Sequence, residues 1–215
     1  MDILVSPREA ARTRSAPPTR GSAARVPQAR GRFAPPERRA ESFYRRGAGL
    51  AALLSGVLTF AGVVMSPVDG VGIEGYLRSS TGTDDAWAVV LRYGFLLLVP
   101  AAFGLAHLAR RRARRLSNWG LALVVLSGLS GLAAVDFAVV GTAVGTVLLT
   151  LAFVRAGFTR WPVPVVVAAG WIVLAAADQV VGAAIGTALI AVATSVVGVR
   201  VLYASDDEWD SGIPD

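Results

Sequence analysis

Residues 119–154 read WGLALVVLSGLSGLAAVDFAVVGTAVGTVLLTLAFV, an apolar stretch in which Asp136 is the one charged residue. As a single helix this stretch would extend about 54 Å at about 1.5 Å per residue. The hydrocarbon core of a bilayer is only about 30 Å thick. The stretch therefore predicts two transmembrane helices, at about 119–135 and 138–154, joined by a tight turn at Asp136-Phe137.

Four more apolar runs flank this stretch, and the fifth span in chain order is the shortest of the set. They cover about 49–65, 87–109, 164–177 and 180–202. Together the runs predict an all-α fold, an integral membrane bundle of six transmembrane helices spanning 47–203. A disordered Arg/Pro-rich tail is expected at 1–46, because this segment has few bulky apolar residues to bury. An acidic tail is expected at 204–215, which contains five acidic residues.

The composition excludes several chemistries. Hydrophobic residues make up 54% and charged residues 17% of the chain, against about 45–50% and about 25% in soluble domains. The chain has no cysteine, no lysine and a single histidine, His107. These absences rule out disulfides, thiolate chemistry, P-loops and Schiff bases. We therefore expect no cofactor, no metal and no enzymatic activity.

The arginines predict the orientation of the spans. Short loops rich in arginine stay in the cytoplasm, and arginines mark every second connection, at 45–46, 110–115, 155–160 and 200. The opposite connections carry acids: Asp69, Glu74, Asp84, Asp85, Asp136 and Asp178. We therefore expect a protein of the plasma (inner) membrane with both termini cytoplasmic. Trp87, Trp119 and Trp161 stand at span starts, where aromatic belts lie.

An internal similarity predicts a duplicated helical hairpin. The segment VVGTAVGTVL at 139–148 resembles VVGAAIGTAL at 180–189. Each contains a GxxxG pair, Gly141/Gly145 and Gly182/Gly186, which lets two helices approach closely in a membrane. Packing within the bundle and a seam between two copies of the chain are both open interpretations.

Three charged positions are candidates for function. Asp136 and Asp178 either cap the following helices or act as functional acids in an ion pathway. Arg92, near the outer end of the second span, either snorkels to the headgroups or pairs with one of these acids. The arginine run between the second and third spans predicts contacts with anionic inner-leaflet lipids. This run comprises Arg110, Arg111, Arg112, Arg114 and Arg115.

The order of segments between residues 45 and 140 resembles that of small multi-span membrane proteins of high-GC actinobacteria. The segments are the first span, Gly75-Tyr76-Leu77, the Leu-Leu-Val-Pro-Ala segment at 97–101 and the arginine run that follows it. The resemblance covers residues 45–140 and implies no activity. The leading hypothesis is thus a non-enzymatic accessory, scaffold or regulatory bundle, with a homo-oligomer or another membrane protein as partner and nucleic acid not expected. The alternative is a small transporter or channel that uses Asp136, Asp178 and Arg92.

Overall fold

A computed structural model describes residues 36–66, 86–130, 135–177 and 179–214. Within these ranges the chain forms seven α-helices and no β-strand, which confirms the all-α class. The helices are α1 (Pro36–Val64), α2 (Ala86–Ala109), α3 (Arg114–Ser130), α4 (Val135–Ala156), α5 (Pro162–Ala176), α6 (Val180–Leu202) and α7 (Asp206–Ser211).

Four of these helices are long and apolar enough to cross a membrane, and they support a membrane protein with transmembrane helices. The apolar windows lie at Ser42–Val64 in α1, Val89–Ala109 in α2, Val139–Ala156 in α4 and Val181–Leu202 in α6. The helix α5 is apolar but shorter, with 15 residues.

Two predicted boundaries need correction. The helix α1 begins at Pro36, so residues 36–46 are helical although they were predicted to belong to a disordered tail. Proline suits a first helical position because its missing N–H is not needed there. Asp136 and Phe137 lie in the first turn of α4 and do not form the predicted turn.

Five of the first six helices pack into a closed ring, and the remaining one, α3, lies outside it. The helix α1 contacts α2 on one side and α6 on the other, α4 contacts both α2 and α5, and α5 contacts α6. The helix α3 packs on α4 and α2. Neighbours in chain order run antiparallel, as the contacts of Gly62 with Leu91 and of Gly104 with Ala48 show for α1 and α2.

The α3–α4 and α5–α6 hairpins pack through glycines. A Cβ added at Gly145 of α4 would lie 2.8 Å from Cγ2 of Val124 and 3.0 Å from the carbonyl oxygen of Gly120. A Cβ at Gly186 of α6 would lie 2.7 Å from the backbone nitrogen of Leu174. Real Cβ contacts are longer than this, so each helix pair is as close as it is because no side chain intervenes.

Buried hydroxyl groups connect some of the helices. Ser55 of α1 donates to the carbonyl oxygen of Gly94 in α2 at 2.8 Å. Thr146 of α4 accepts a hydrogen bond from Nε1 of Trp171 in α5 at 3.0 Å. Thr146 and Thr150 also donate to carbonyls one turn earlier in their own helix, which satisfies their hydroxyl protons in an apolar interior.

Candidate functional site at the arginine end of the bundle

One end of the bundle gathers most of the charged contacts that the structure describes. We call it the arginine end, and it is defined by Arg45 near the start of α1, Arg110 after α2 and Arg200 near the end of α6. Residues 204–214, the C-terminal segment, lie across it.

The C-terminal segment contains the short helix α7, whose ends are capped by its own residues. Ser205 and Glu208 form a reciprocal capping box: Oγ of Ser205 accepts from the Glu208 N–H at 3.0 Å, and the Glu208 carboxylate accepts from the Ser205 N–H at 2.9 Å. Gly212 ends the helix in the left-handed region, with φ 63°, which glycine adopts without steric cost. These caps stabilise the ends of α7 once it is docked on the bundle.

Glu208 is the buried acid of the segment. The residue is 2% exposed, and its carboxylate accepts hydrogen bonds from both terminal nitrogens of Arg200, one of them at 3.0 Å. The Arg200 guanidinium also lies over the ring of Phe158, 5.5 Å from its centroid. A buried carboxylate costs free energy unless it is paired and hydrogen-bonded, and Arg200 and Ser205 meet that requirement.

Two further arginines hold the segment from α1 and α2. Arg45 donates to the Asp206 carboxylate at 2.5 Å. Arg110 donates to the carbonyl oxygens of Trp209 at 3.3 Å and Asp210 at 2.7 Å. Burial, together with the charge of Arg111, lowers the pKa of Arg110, and Asp210 opposes that shift. The group nevertheless keeps its charge, because arginine does not deprotonate in proteins.

Apolar contacts complete the docking of the segment. The Trp209 ring stacks on His107 of α2, with centroids 4.5 Å apart and an interplanar angle of 29°. Trp209 belongs to a buried cluster that includes Leu108, Phe153 and Val201. The segment is therefore attached by a buried aromatic side chain as well as by charge.

The predicted arginine run lies at this end. Arg110 contacts the C-terminal segment, and Arg112 donates to the carbonyl oxygen of Ala156 at the end of α4 at 3.3 Å. Arg111, Arg114 and Arg115 are exposed.

The other predicted charged positions are not brought together among the described residues. Arg92 is exposed on α2, toward the opposite end from Arg110. Asp136 lies in the first turn of α4, and Asp178 lies outside the described residues. The N-cap position of α6 is occupied by Gln179, with no side-chain capping hydrogen bond. Capping or function at Asp136 and Asp178 stays a prediction.

The glycines of the predicted GxxxG pairs lie against the preceding helix of their own hairpin. Gly141 and Gly145 approach α3, and a Cβ at Gly141 would lie 2.1 Å from Oγ of Ser127. Gly186 approaches α5, and Gly182 approaches Ala177 just after α5.

The sequence alone did not identify Glu208, Trp209 and Arg200 as parts of one candidate site. A signal was present, because Ser205 followed three residues later by Glu208 is the capping-box pattern of a helix start. Trp209 is also a large apolar residue in an otherwise acidic segment. The pairing of these residues with α2 and α6 depends on the tertiary fold.

A small cavity of about 30 Å³ lies inside the ring. Each of the first six helices contributes to its wall, which includes Ala52, Leu98, Val124, Thr146, Val167 and Thr194. A cavity of this size has room for a water molecule. Among the described residues no group of three or more His, Asp or Glu side chains could hold a metal ion.

No family model, curated protein or solved structure matches this chain. Its function must therefore be argued from its own residues.

Proposed function

We propose that this chain is a non-enzymatic, multi-pass protein of the plasma membrane that acts as an accessory or regulatory bundle. It has six transmembrane helices, and both termini are cytoplasmic. The arginine end is the surface through which it acts, and the docked C-terminal segment is part of that surface.

The distribution of charged and aromatic residues supports this topology. The arginines of the described helix ends lie at one end of the bundle, the side that arginine-rich segments keep in the cytoplasm. Five of the exposed aromatic residues lie at the same end: Phe43, Tyr44, Trp119, Trp161 and Tyr203. Such residues concentrate at membrane interfaces. Trp87, at the opposite end, is buried and does not contribute to a belt.

We infer that the α3–α4 and α5–α6 hairpins are two copies of one ancestral hairpin. Three glycine contacts in the α3–α4 hairpin have counterparts in the α5–α6 hairpin. Gly120–Leu149 corresponds to Gly170–Ile190, Val124–Gly145 to Leu174–Gly186, and Ser127–Gly141 to Ala177–Gly182. Each contact residue on the α3 side lies 50 residues before its counterpart on the α5 side. Each contact residue on α4 lies 41 residues before its counterpart on α6. The similarity in sequence is thus accompanied by the same packing.

The docking of the C-terminal segment is the observation that carries the proposal. The interior of the bundle is packed from alanine, glycine, serine, threonine, aliphatic and aromatic side chains, around a cavity of about 30 Å³. Within the part of the chain that the structure describes, ion pairs and a buried acid lie at the arginine end. A protein that works by contact at one membrane surface has this distribution.

The test is site-specific photo-crosslinking in native membranes, with a crosslinking residue at Asn118 or at Ile172. Asn118 is exposed at the arginine end, and Ile172 is exposed in the middle of α5. We expect a discrete adduct, with a second copy or another membrane protein, from Asn118 and none from Ile172. Adducts from neither position, with a monomer in mild detergent, would contradict the proposal.

The alternative function, a small transporter or channel, is favoured by the cavity that six helices line. Arg92 does not contribute to its wall. This alternative predicts solute flux in proteoliposomes that falls when Asp136→Asn and Asp178→Asn are combined. The accessory function predicts flux no higher than in empty liposomes for both the wild-type chain and this double variant.

A further inference from the structure

The C-terminal segment contacts three arginines: Arg45 of α1 and Arg200 of α6 through the carboxylates of Asp206 and Glu208, and Arg110, which follows α2, through the carbonyl oxygens of Trp209 and Asp210. We infer that Arg45, Arg110 and Arg200 form a binding site for the phosphate groups of anionic lipids, and that the chain's own C-terminal segment occupies this site. The inference rests on the proposed function in one respect, the placement of the arginine end at the inner leaflet.

The chemistry of the present occupant matches that of a lipid phosphate. Both terminal nitrogens of Arg200 donate to the Glu208 carboxylate, and Arg45 donates to the Asp206 carboxylate. The guanidinium group presents a planar fork of donors that fits carboxylate and phosphate oxygens equally well. A phosphodiester would satisfy the same donors that the segment satisfies now.

Two of the three arginines also make contacts with residues outside the C-terminal segment. Arg200 lies over the Phe158 ring. Arg110 donates to the carbonyl oxygen of His107 at 2.9 Å. If the segment leaves, these contacts hold both guanidinium groups near their present positions. The site is therefore partly preorganised, which lowers the entropic cost of binding a second anion.

The depth of the site favours a lipid over a soluble anion. The exposed aromatic side chains of Tyr44, Trp119, Trp161 and Tyr203 lie at the same end of the bundle, and tryptophan and tyrosine mark the level of the headgroups. Arginines at this end also outnumber the acids of α7, so positive charge remains beside the docked segment. Each basic residue near an anionic surface adds to the attraction for anionic lipids.

Several properties of the C-terminal segment favour its reversible release from the three arginines. An isolated helix of six residues is not stable in water, so α7 depends on docking for its structure. Asp206 is on the solvent side, with its side chain 81% exposed. Gly212 lies so close to Leu108 that an added Cβ would be 3.0 Å from that carbonyl oxygen. Docking and release therefore form an equilibrium that competing anions displace.

The experiment measures docking by the distance between two spin labels in the full chain. The chain has no native cysteine, so Asn118→Cys and Ile213→Cys provide two exposed labelling sites. Protein is reconstituted in nanodiscs of phosphatidylcholine alone or mixed with phosphatidylglycerol. We expect a narrow distance distribution in phosphatidylcholine and a broad, longer one when phosphatidylglycerol is present.

Two variants should release the segment without anionic lipid. Glu208→Gln removes its buried charge, and Gly212→Ala introduces a steric clash without changing the charge. Each is expected to raise the undocked-to-docked ratio about tenfold or more in phosphatidylcholine, Glu208→Gln through the loss of a hydrogen bond between charged groups and Gly212→Ala through overpacking. Asp207→Asn is the matched control, because Asp207 is exposed in the same helix and should leave the ratio unchanged.

Lipid occupancy is measured directly by mass spectrometry of the protein released from mixed nanodiscs. We expect retained phosphatidylglycerol to fall when Arg45→Gln, Arg110→Gln and Arg200→Gln are combined, and to persist in Arg92→Gln. Identical distance distributions in both lipids would overturn the inference. It would also fail if inorganic phosphate in phosphatidylcholine released the segment as well as phosphatidylglycerol does. A failure here leaves the crosslinking result at Asn118 unaffected, so the two proposals fail separately.

Discussion

Glu208 and Arg200 form a two-point ion pair across the end of α6, in which the Glu208 side chain is 3% exposed and the Arg200 side chain 32% exposed. The pair connects the last transmembrane helix to α7, so the charge of the C-terminal segment is part of the folded structure. Removing one partner leaves the other charge without compensation.

Glu208→Ala is therefore expected to lower the free energy of unfolding by about 1–3 kcal/mol. This is less than the about 3–5 kcal/mol lost when a fully buried pair is broken, because Arg200 is partly solvated. Thermal unfolding in detergent micelles gives the measurement. Asp207→Ala should shift the midpoint by much less, and equal shifts for the two variants would show that the pair has no special role.

Glycine contacts within the two hairpins make a second prediction. Gly145→Ala and Gly186→Ala are each expected to cost about 1–3 kcal/mol, as overpacking of a tight interface does. Gly47→Ala is the control, because nothing lies within 4 Å of a Cβ added there and alanine favours the helix. If all three variants unfold at the temperature of the wild-type protein, close glycine packing does not stabilise the hairpins.

The hydrogen bond between Trp171 and Thr146 gives a third prediction with a matched control. Thr146→Val removes the acceptor and leaves the buried Trp171 N–H without its partner, at a cost of about 1–3 kcal/mol. Thr150→Val removes a hydroxyl that bonds within its own helix and should cost clearly less. Chemical unfolding of the two variants in mixed micelles provides the comparison. A larger loss for Thr150→Val would contradict the assigned role of Thr146.

The orientation is tested by labelling single cysteines in intact cells. Ser79→Cys falls in a connection that was predicted to be outside, and Asn118→Cys lies at the arginine end. A membrane-impermeant thiol reagent should label the first from outside the cell and the second only after the cells are opened. The reverse pattern would place the arginine end outside.

Most transmembrane helices could be predicted from the sequence, because apolar runs and arginine stops are local signals. The predicted spans 87–109 and 180–202 match α2 and α6 to within one residue. The start of α1 was missed because residues 37–46 are rich in charge, which resembles a disordered tail. The first turn of α4 was also missed, since a lone aspartate in an apolar run predicts a turn between two spans, whereas Asp136 lies within the first turn of the helix.

The candidate site was predicted only in part. The arginine run signals an anionic partner through composition alone. That Arg110 of this run contacts the C-terminal segment of the same chain, through the carbonyl oxygens of Trp209 and Asp210, follows from the return of α6 to the end where α1 begins. The alternation of arginine-bearing connections predicts that both ends lie on one side, but it does not predict that α6 packs beside α1, because that contact depends on how five helices close a ring.

The shortness of α5 has a consequence for the surrounding bilayer. With 15 residues the helix is about 22 Å long at about 1.5 Å per residue. The hydrocarbon core of an average bilayer is about 30 Å thick. If α5 spans the bilayer, as proposed above, the lipid beside it must compress or the helix ends must remain partly uncovered, and either adjustment costs a fraction of a kcal/mol per ångström of mismatch. We therefore expect greater thermal stability in short-chain lipids than in long-chain lipids. Hydrophobic mismatch of this kind would sort the protein toward thin regions of the membrane.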